Sequence, residues 1–487
     1  MQLRELLAGF AEVHFDADVQ GLVLDSRALR PGQAFIALPG AHQHGLNYAE
    51  QVLAQGASAI LYDPLQAPAV PERHAPFLAV ADLNAKLGAI VARFYGEPSR
   101  QLAVIGITGT NGKTSCSQFL GQMLPHCGVI GTLGWGRWGA LELTGYTTPD
   151  ALTTQTMLAE FVKQELQTVA MEVSSHGLAE GRVNAVKFKG VVLTNISRDH
   201  LDFHGTMEAY IATKLSLFVK TDTEFAVLNI EDVLYPRFLQ VIPANVDIWS
   251  YSAKGINNRA IRTVWAEQVH TGIEGLKFDL CYLDQRFEVQ VPFYGAFNIE
   301  NLLAVATVLL ALGFELATIA RQLRQLAPVC GRMQRLGDSR SALIFVDYAH
   351  TPDALQKVLQ SAREHCQQKL WVVFGCGGDR DRGKRAQMGQ VAEQYADIVV
   401  LTNDNPRTEN PQSILQEIVS GCQQPEQLKV IEDRAQAIEF ALAQLSPNDC
   451  LVIAGKGHED YQEMGDQKLP FKDATVVEHW LAQRGRY

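Results

Sequence analysis

The chain has 487 residues, 47% hydrophobic and 20% charged, which is the composition of a folded globular protein and enough chain for about two to four domains. We predict neither a membrane span nor a signal peptide, because no apolar run reaches about 18 residues and Glu5 and Glu12 interrupt the N-terminal apolar stretch. A net charge of -11 argues against broad nucleic-acid binding, and eight scattered cysteines without a C-x-x-C pair predict reduced thiols in a cytoplasm.

The N-terminal part of the chain has the pattern of a small α/β domain. Its strand candidates are the short apolar runs "QGLVLDS", "QAFIAL" and "ASAILYD". The stretch "YAEQVLAQG" has the spacing of a helix. We place this domain at residues 1–92, just before the turn-rich "YGEPSRQ".

A central α/β domain is predicted over residues 93–328. Three near-continuous apolar runs are typical of parallel strands covered on both faces: "QLAVIGIT", "TVAMEVS" and "GVVLTNIS". The stretch "TSCSQFLGQML" predicts a helix, and another is predicted from Pro149, with Thr148 as its N-cap. An amphipathic helix, "NLLAVATVLLALG", ends this region at Gly313.

A third domain, over residues 329–487, repeats the alternation of strands and helices. Its predicted strands are "ALIFVDY", "LWVVFGCGG", "ADIVVLT" and "CLVIAGKG". We predict a Rossmann-like sheet here, so that the whole chain is an α/β protein of three domains.

The stretch "AVIGITGTNGKTS" indicates a phosphate-binding loop with unusual spacing. The common pattern G-x-x-x-x-G-K-[ST] would place its first glycine at Ile107, whereas the glycines here are Gly106, Gly109 and Gly112. A strand, a glycine-rich turn and Lys-Thr at the start of a helix favour phosphate binding over a merely structural turn. The predicted nucleotide-phosphate contacts run through Gly109, Thr110, Asn111, Gly112, Lys113, Thr114 and Ser115, with Lys113 on the β- and γ-phosphates and Thr114 on Mg²⁺.

Acidic and basic side chains follow the next two predicted strands. Glu172 ends the strand in "MEVSSHGL", where α/β enzymes keep their sites. The stretch "TNISRDHLDFHGTMEAYIATKLSLF" contains Asp199, Asp202, His200, His204 and Lys214. His200 and His204 have the spacing of the H-E-x-x-H zinc-protease pattern, but no glutamate follows His200, so the pattern fails. Taken singly, each could be a capping or solvated residue.

Together these stretches resemble the superfamily of the Mur ligases and folylpolyglutamate synthetases. The resemblance implies two Mg²⁺ ions, one bound by Thr114 and Glu172 and the other by Glu172, His200 and Lys214. It also implies that Lys214 is carbamylated, since a free ammonium cannot bind a cation. Carbamylation requires a neutral amine, and its pKa must therefore fall from about 10.4.

Later motifs extend the resemblance and imply the reaction. They place Asn298 and Asn301 near adenine ("YGAFNIENLLA"), Arg332 at a domain junction ("CGRMQ"), and Asp347 and His350 facing ATP ("VDYAHTPDAL"). By resemblance, ATP phosphorylates a carboxylate and an amine then attacks the acyl phosphate. The implied catalytic residues are Lys113, Glu172, His200 and Lys214.

The N-terminal domain is similar to the uridine-nucleotide domain of Mur ligases that make the muramoyl tripeptide. In "LVLDSRALRPGQAFIALPGAHQHG" and "YTTPD" the implied substrate contacts are Leu24, Ser26, Ala41, His42, Gln43, Thr147 and Thr148, with Ser174, Glu180 and Arg182 nearby.

The stretch "LTNDNPRTENP" has the composition of a turn-rich surface loop. It also resembles the D-N-P-R signature of the Mur ligases that add meso-diaminopimelate. Arg407 offers a planar fork for the distal carboxylate that lysine lacks. The implied acceptor contacts are Arg380, Asp404, Asn405, Pro406, Arg407, Gly455 and Glu459.

The resemblance implies a bacterial cytoplasmic ligase that joins meso-diaminopimelate to UDP-N-acetylmuramoyl-L-alanyl-D-glutamate. Such an enzyme acts in peptidoglycan synthesis, and thereby in cell shape and division, with ATP, two Mg²⁺ ions and a carbamate derived from CO₂. We expect a monomer. A folylpolyglutamate synthetase is an alternative, but it should lack the uridine-nucleotide domain. A nucleotide-dependent switch protein is another alternative, and it would need no acceptor amino acid.

Overall fold

In the computed structural model, the described residues are 1–40, 43–65, 67, 76–220, 222–255, 262–272, 274–337 and 342–483. The chain divides into two units. The first comprises Met1–Ile107, Leu124–Val191 and Lys220–Glu224, and the second comprises Thr108–Met123, Val192–Val219 and Phe225–Tyr487. None of the helices in the described ranges is long and apolar enough to cross a bilayer.

The chain begins with a four-stranded parallel sheet covered on both faces. Its strands, in spatial order, are β1 (Gly21–Val23), β2 (Gln33–Ala37), β3 (Ala59–Tyr62) and β4 (Phe77–Ala79). The helices are α1 (Leu3–Leu7), α2 (Ala49–Ala54) and α3 (Leu83–Phe94). Alternate strand residues point to opposite faces, so Ala34 and Ile36 pack with α1 and α3 while Phe35 and Ala37 pack with α2. This confirms the predicted small α/β arrangement.

The next elements include the strand before the glycine loop and the helix after it. In chain order they are β5 (Ala103–Thr108), α4 (Lys113–Met123), β6 (Cys127–Gly131), β7 (Gly134–Arg137), β8 (Ala140–Glu142), α5 (Ala151–Lys163), β9 (Thr168–Glu172), α6 (Ser175–Ala179) and β10 (Gly190–Leu193). Strand β9 pairs in parallel with β5 and β6, and β7 and β8 continue from β6 as an antiparallel meander. Ile107 of β5 pairs with Glu172, the last residue of β9, so Glu172 lies at the carboxyl end of its strand.

The predicted N-cap at Thr148 is wrong. Helix α5 begins at Ala151, and its N-cap is Asp150, whose Oδ1 accepts a hydrogen bond of 3.0 Å from the backbone N–H of Thr153. Thr148 is instead buried, with its hydroxyl directed to the backbone after β9. Both residue types favour N-caps, and the local sequence alone does not say which of two candidates two residues apart caps the helix.

The second unit contains a mixed sheet around a buried helix. Its elements up to residue 323 are α7 (Leu201–His204), α8 (Met207–Leu215), β11 (Phe225–Asn229), α9 (Tyr235–Val241), β12 (Asp247–Ser252), β13 (Thr263–Gly272), β14 (Gly275–Tyr282), β15 (Gln285–Val291), α10 (Phe297–Ala311) and α11 (Leu316–Leu323). Strands β11, β12 and β13 are parallel, and β13, β14 and β15 form an antiparallel meander. The prediction that α10 is amphipathic is wrong, since almost all of its residues are buried.

The last part of the second unit has the predicted Rossmann-like arrangement. Its six-stranded sheet runs in the order β16 (Gln334–Leu336), β17 (Leu343–Asp347), β21 (Cys450–Ala454), β18 (Leu370–Phe374), β19 (Ile398–Leu401) and β20 (Lys429–Val430), parallel except for β16. One face packs against α12 (Pro352–His365), α13 (Gly383–Tyr395) and α14 (Pro411–Val419), and the other against α15 (Arg434–Gln444) and α16 (Asp473–Gln483). A hairpin of β22 (Tyr461–Met464) and β23 (Gln467–Pro470) follows β21.

Candidate active site

The unusual glycine spacing has a steric cause in the second unit. Gly109 and Gly112 both have positive φ, +145° and +88°. A Cβ atom on Gly109 would lie 1.9 Å from Oγ1 of Thr194, and one on Gly112 would lie 2.4 Å from Oδ1 of Asn301. Both positions therefore require glycine, and the departure from the common loop pattern reflects what packs behind this loop.

Side chains after β10 and on α8 hold the loop in place. The backbone N–H of Thr110 donates to the carbonyl of Asn195 at 2.7 Å, and that of Asn111 donates to Oδ1 of Asn195 at 3.1 Å. The hydroxyls of Thr110 and Tyr210 are 2.9 Å apart. Asn195 and Tyr210 were not predicted from the sequence, because nothing local to them indicates a contact with a loop about a hundred residues away.

The loop ends in the helix start that the sequence predicted. Lys113 is the first residue of α4, and its Nζ donates to the carbonyls of Gly109 and Thr110, both at 2.8 Å. Thr114 is buried, and its Oγ1 accepts a hydrogen bond of 3.1 Å from Nη2 of Arg332. A helix N-terminus with a lysine folded over the preceding loop is a suitable site for phosphate oxygens.

Lys214 lies under this loop. Its side chain is 1% exposed, and its Nζ donates to the carbonyl of Gly109 at 2.9 Å and to Oγ1 of Thr108 at 3.3 Å. Burial, followed by the positive charge of Lys113, holds the pKa of Lys214 well below its usual value. A lowered pKa favours the neutral form of the amine.

His200 is held by its neighbour Asp199. Oδ2 of Asp199 lies 3.3 Å from Nε2 of His200, and Oδ1 accepts the His200 backbone N–H at 2.9 Å. Burial would raise the pKa of Asp199, but its neighbours, His200 first among them, lower it. A carboxylate beside the imidazole fixes the orientation of the ring, as in many metal-binding histidines.

A cavity of about 330 Å³ lies beside the start of α4 and has the volume of a small-molecule pocket, which is about 300–1,000 Å³. Its lining includes Ser115, Phe119, Tyr294, Asn298 and Arg332. Nδ2 of Asn298 donates to the Tyr294 carbonyl at 2.8 Å. Two aromatic rings and a fixed amide suit a flat, polar-edged base, so the predicted adenine contact at Asn298 lies in a suitable cavity.

Asp347 binds two backbone N–H groups, and Nδ1 of His350 lies 2.8 Å from the carbonyl oxygen of Tyr348. The carboxylate of Asp347 accepts the backbone N–H groups of Met333 at 2.6 Å and Ala349 at 2.8 Å. Burial raises the pKa of Asp347 and lowers that of His350. Arg332 lies over the ring of Tyr348 at 4.7 Å. Asp347 thus fixes the backbone beside Arg332.

The stretch with the composition of a surface loop is buried over residues 401–406, whereas Thr408 and Asn410 are exposed. Asp404 and Asn405 are 8% and 3% exposed. Nδ2 of Asn405 donates to Glu459 at 2.9 Å, and Oδ1 accepts a hydrogen bond of 2.9 Å from the fully buried ammonium of Lys456. Lys456 also contacts Glu459 at 2.8 Å. Lys456 was not predicted, although its place between two glycines after a buried strand was a usable signal.

Glycines from neighbouring loops pack against the same segment. A Cβ atom on Gly378 would lie 1.9 Å from the carbonyl oxygen of Pro406, and one on Gly455 would lie 2.4 Å from Oδ2 of Asp404. Arg380 is exposed two residues beyond Gly378. The predicted acceptor residues of the second unit are therefore brought together at the carboxyl ends of β18, β19 and β21.

In the first unit, the predicted substrate residues after β8 and β9 form one network. The Thr148 hydroxyl donates to the Glu172 carbonyl and accepts the Ser174 backbone N–H, both at 2.9 Å. Arg182 donates to the Thr148 carbonyl at 2.7 Å and pairs with Glu180 at 2.5 Å. Glu180 thus orients Arg182, which explains a carboxylate at this position.

Thr132 is a member of this network that the sequence did not reveal. Its backbone N–H and its hydroxyl donate to the two carboxylate oxygens of Glu172, each at 3.0 Å. Its hydroxyl also lies 2.9 Å from that of Thr147. Glu172 is fully buried, so its carboxylate is held in one orientation.

Three predicted uridine contacts lie within the described residues. Ser26 is buried at the start of a short 3₁₀ turn after β1, Leu24 is half-buried, and Gln43 is exposed and paired with Tyr48. Ala41 and His42 lie outside the described residues.

Three family models match the chain in succession. Residues 18–95 match "Mur ligase family, catalytic domain", residues 107–309 match "Mur ligase middle domain", and residues 331–457 match "Mur ligase, glutamate ligase domain". A UDP-N-acetylmuramoyl-L-alanyl-D-glutamate–2,6-diaminopimelate ligase of Coxiella burnetii is 44% identical over 96% of both chains. The chain belongs to the Mur ligase family. It is accordingly an ATP-dependent ligase with the three-domain α/β architecture of that family.

Two further comparisons also match this Mur ligase to enzymes that are named as 2,6-diaminopimelate ligases. The enzyme of the same name from Xanthomonas campestris pv. campestris is 46% identical over 99% of this chain and 98% of its own. A solved structure of a 2,6-diaminopimelate ligase with that name superimposes with a TM-score of 0.70 at 35% identity, covering 100% of both chains.

Proposed function

We propose that this Mur ligase joins meso-diaminopimelate to UDP-N-acetylmuramoyl-L-alanyl-D-glutamate in peptidoglycan precursor synthesis. The observation that carries the proposal is the D-N-P-R segment, which is held at the carboxyl edge of the last sheet with Asp404 and Asn405 buried and Arg407 half-buried. Relatives that are named for this reaction match nearly the whole chain. ATP supplies the energy, and ADP and phosphate leave.

The reaction we propose has two steps. A substrate carboxylate oxygen attacks the γ-phosphorus of ATP, the bond to ADP breaks, and an acyl phosphate forms. The neutral amine of diaminopimelate then attacks the acyl carbon, phosphate leaves, and the amine loses a proton. Positioning and charge stabilisation dominate such chemistry, so Lys113 and the N–H groups from Gly109 to Ser115 would act by binding phosphate oxygens.

We propose that Thr114 and Glu172 hold one Mg²⁺ ion, and that Glu172, His200 and carbamylated Lys214 hold a second. No group of three or more His, Cys, Asp or Glu side chains suited to a metal occurs among the described residues. A carbamate would add the oxygen ligands that Mg²⁺ prefers, and the lowered pKa of Lys214 supports its formation. The ions would neutralise phosphate charge when bound.

For the acceptor, we propose that Arg407 binds the distal carboxylate of diaminopimelate while Asp404, Asn405 and Glu459 face its ammonium. The Asp404 carboxylate packs against the backbone of Gly455, and a side chain at position 455 would displace that carboxylate. Arg380 and the backbone of Pro406 would complete this end of the site. For the other substrate, Thr147, Thr148, Ser174 and Arg182 would bind the dipeptide, with Glu180 orienting Arg182.

Three broader proposals accompany this function. The domain boundaries are 1–92, 93–328 and 329–487. The uridine part of the substrate is held by Leu24, Ser26, Ala41, His42 and Gln43. The enzyme works as a cytoplasmic monomer in a bacterium. The competing folylpolyglutamate synthetase assignment is disfavoured because residues 18–95 match the N-terminal Mur ligase model.

A thermal-shift experiment tests the substrate class directly. UDP-N-acetylmuramoyl-L-alanyl-D-glutamate should raise the Tm, since a ligand at a hundred times its Kd stabilises the native state by about 2.7 kcal/mol. A reduced folate at equal concentration should leave the Tm unchanged. A shift with the folate alone would move the assignment to a folylpolyglutamate synthetase, and no shift with either would contradict a uridine-nucleotide site.

A further inference from the structure

The hairpin of β22 and β23 contacts the acceptor segment at Asp404, Asn405 and Arg407. Nε2 of Gln462 donates to the Asp404 carbonyl at 2.7 Å. The Glu463 backbone N–H donates to Oδ1 of Asn405 at 2.9 Å, and the Glu463 carbonyl accepts the backbone N–H of Arg407 at 3.1 Å. The hairpin therefore fixes both the segment and the backbone of Glu463.

Arg407 is held in an unusual backbone conformation at this point. Its φ is +51°, in the left-handed region that a non-glycine residue adopts only when its surroundings impose it. Its carbonyl accepts the N–H of Gly465 at 2.8 Å, so both the backbone N–H and the backbone carbonyl of Arg407 are hydrogen-bonded to the hairpin. This conformation sets the direction in which the guanidinium leaves the backbone.

Two of the three guanidinium nitrogens of Arg407 already have protein partners. Nε forms an ion pair with Oε2 of Glu463 at 2.7 Å, and Nη1 donates to the carbonyl of Gly378 at 2.8 Å. No hydrogen bond is found from Nη2 to any residue that the structure describes. The guanidinium is thereby fixed with Nη2 available to an incoming carboxylate.

We propose that Glu463 is a positioning residue that sets the affinity of this ligase for the distal carboxylate of its acceptor. The proposal rests on the function proposed above. Glu463 would not touch the acceptor. The backbone of Glu463 is held by Asn405 and Arg407, so the Glu463 carboxylate is already placed beside Nε of Arg407. The Arg407 side chain is thereby ordered before diaminopimelate binds and loses less conformational freedom on binding.

Steady-state kinetics of Glu463→Ala, Glu463→Gln and the control Asp466→Ala test the proposal. Asp466 is an exposed acid at the turn of the same hairpin. Glu463→Ala should raise the KM for meso-diaminopimelate roughly three- to tenfold, in line with a partly exposed ion pair, and leave kcat and the KM for ATP unchanged. Glu463→Gln keeps an oxygen that can accept from Nε, so its KM for meso-diaminopimelate should lie nearer that of the wild type. The control Asp466→Ala should have the wild-type KM.

The possible outcomes separate this proposal from the proposed function. If the wild type does not use meso-diaminopimelate, the proposed function fails and this proposal fails with it. If the wild type uses it but Glu463→Ala and Glu463→Gln keep the wild-type KM, only the role of Glu463 is refuted. A lower KM in both variants would show that Glu463 competes with the acceptor carboxylate, and an equal rise in Asp466→Ala would show a general effect of the hairpin. Either result overturns the proposal.

Discussion

Replacing Lys214 with alanine is expected to reduce ligase turnover by roughly 10²- to 10³-fold, the range seen when one electrostatic stabiliser of a transition state is removed. Lys214 is buried directly under the phosphate loop, and its lowered pKa favours the neutral amine. In carbamylation the neutral nitrogen forms a bond to the carbon of CO₂ and releases one proton, which converts a neutral side chain to an anionic one. Losing this anion would remove a proposed Mg²⁺ ligand.

Lys220→Ala is the matched control for Lys214→Ala. Lys220 also has a pKa lowered by burial, but its Nζ contacts the carbonyl of Val183 at 3.3 Å in the first unit. We expect near-wild-type turnover for this control. Formate or acetate should partly restore Lys214→Ala by supplying a carboxylate. Near-wild-type turnover of Lys214→Ala without such an additive would refute the carbamate.

Replacing Arg407 with alanine or lysine is expected to remove the preference for meso-diaminopimelate over L-lysine. A hydrogen-bonded charge pair contributes about 1.5–3 kcal/mol, which corresponds to a roughly 10- to 150-fold loss in kcat/KM for diaminopimelate. The lysine variant should recover little, because an ammonium cannot reproduce the planar fork that is fixed between Glu463 and Gly378.

Arg382→Ala is the control for the Arg407 variants. Arg382 is an exposed arginine at the start of α13 that pairs with Glu417. Removing it takes away the same charge from the same domain and should leave the ratio of kcat/KM for the two acceptors unchanged. The assay is the rate of ADP release with each acceptor. Unchanged selectivity in Arg407→Ala would refute the proposed role of the D-N-P-R segment.

Local sequence patterns predicted the strands and the positions where polar residues follow them. The apolar runs that became β5, β9, β17, β18, β19 and β21 are long enough to be recognised alone. Glu172 is the last residue of β9, and Asp404 follows β19. Such ends converge in any parallel sheet, so the positions of candidate site residues could be predicted without knowing the packing.

Contacts between distant parts of the chain could not be predicted in the same way. Thr132 binds Glu172 across 40 residues, and Glu463 pairs with Arg407 across 56. Helix α10 is buried on nearly all sides because of the sheet and helices around it, which the sequence of the helix does not reveal. The periodicity of its apolar residues therefore gave the wrong prediction of an amphipathic helix. The positions of the glycines in the phosphate loop also depend on distant residues, because Thr194 and Asn301 leave no room for a side chain at positions 109 and 112.

ADP release in the presence of ATP, Mg²⁺ and UDP-N-acetylmuramoyl-L-alanyl-D-glutamate tests the central claim most directly. The comparison is between meso-diaminopimelate and L-lysine as acceptors. We predict rapid release with meso-diaminopimelate and release near background with lysine. Equal or faster release with lysine would contradict the assigned acceptor, and release independent of any acceptor would contradict the ligase reaction itself.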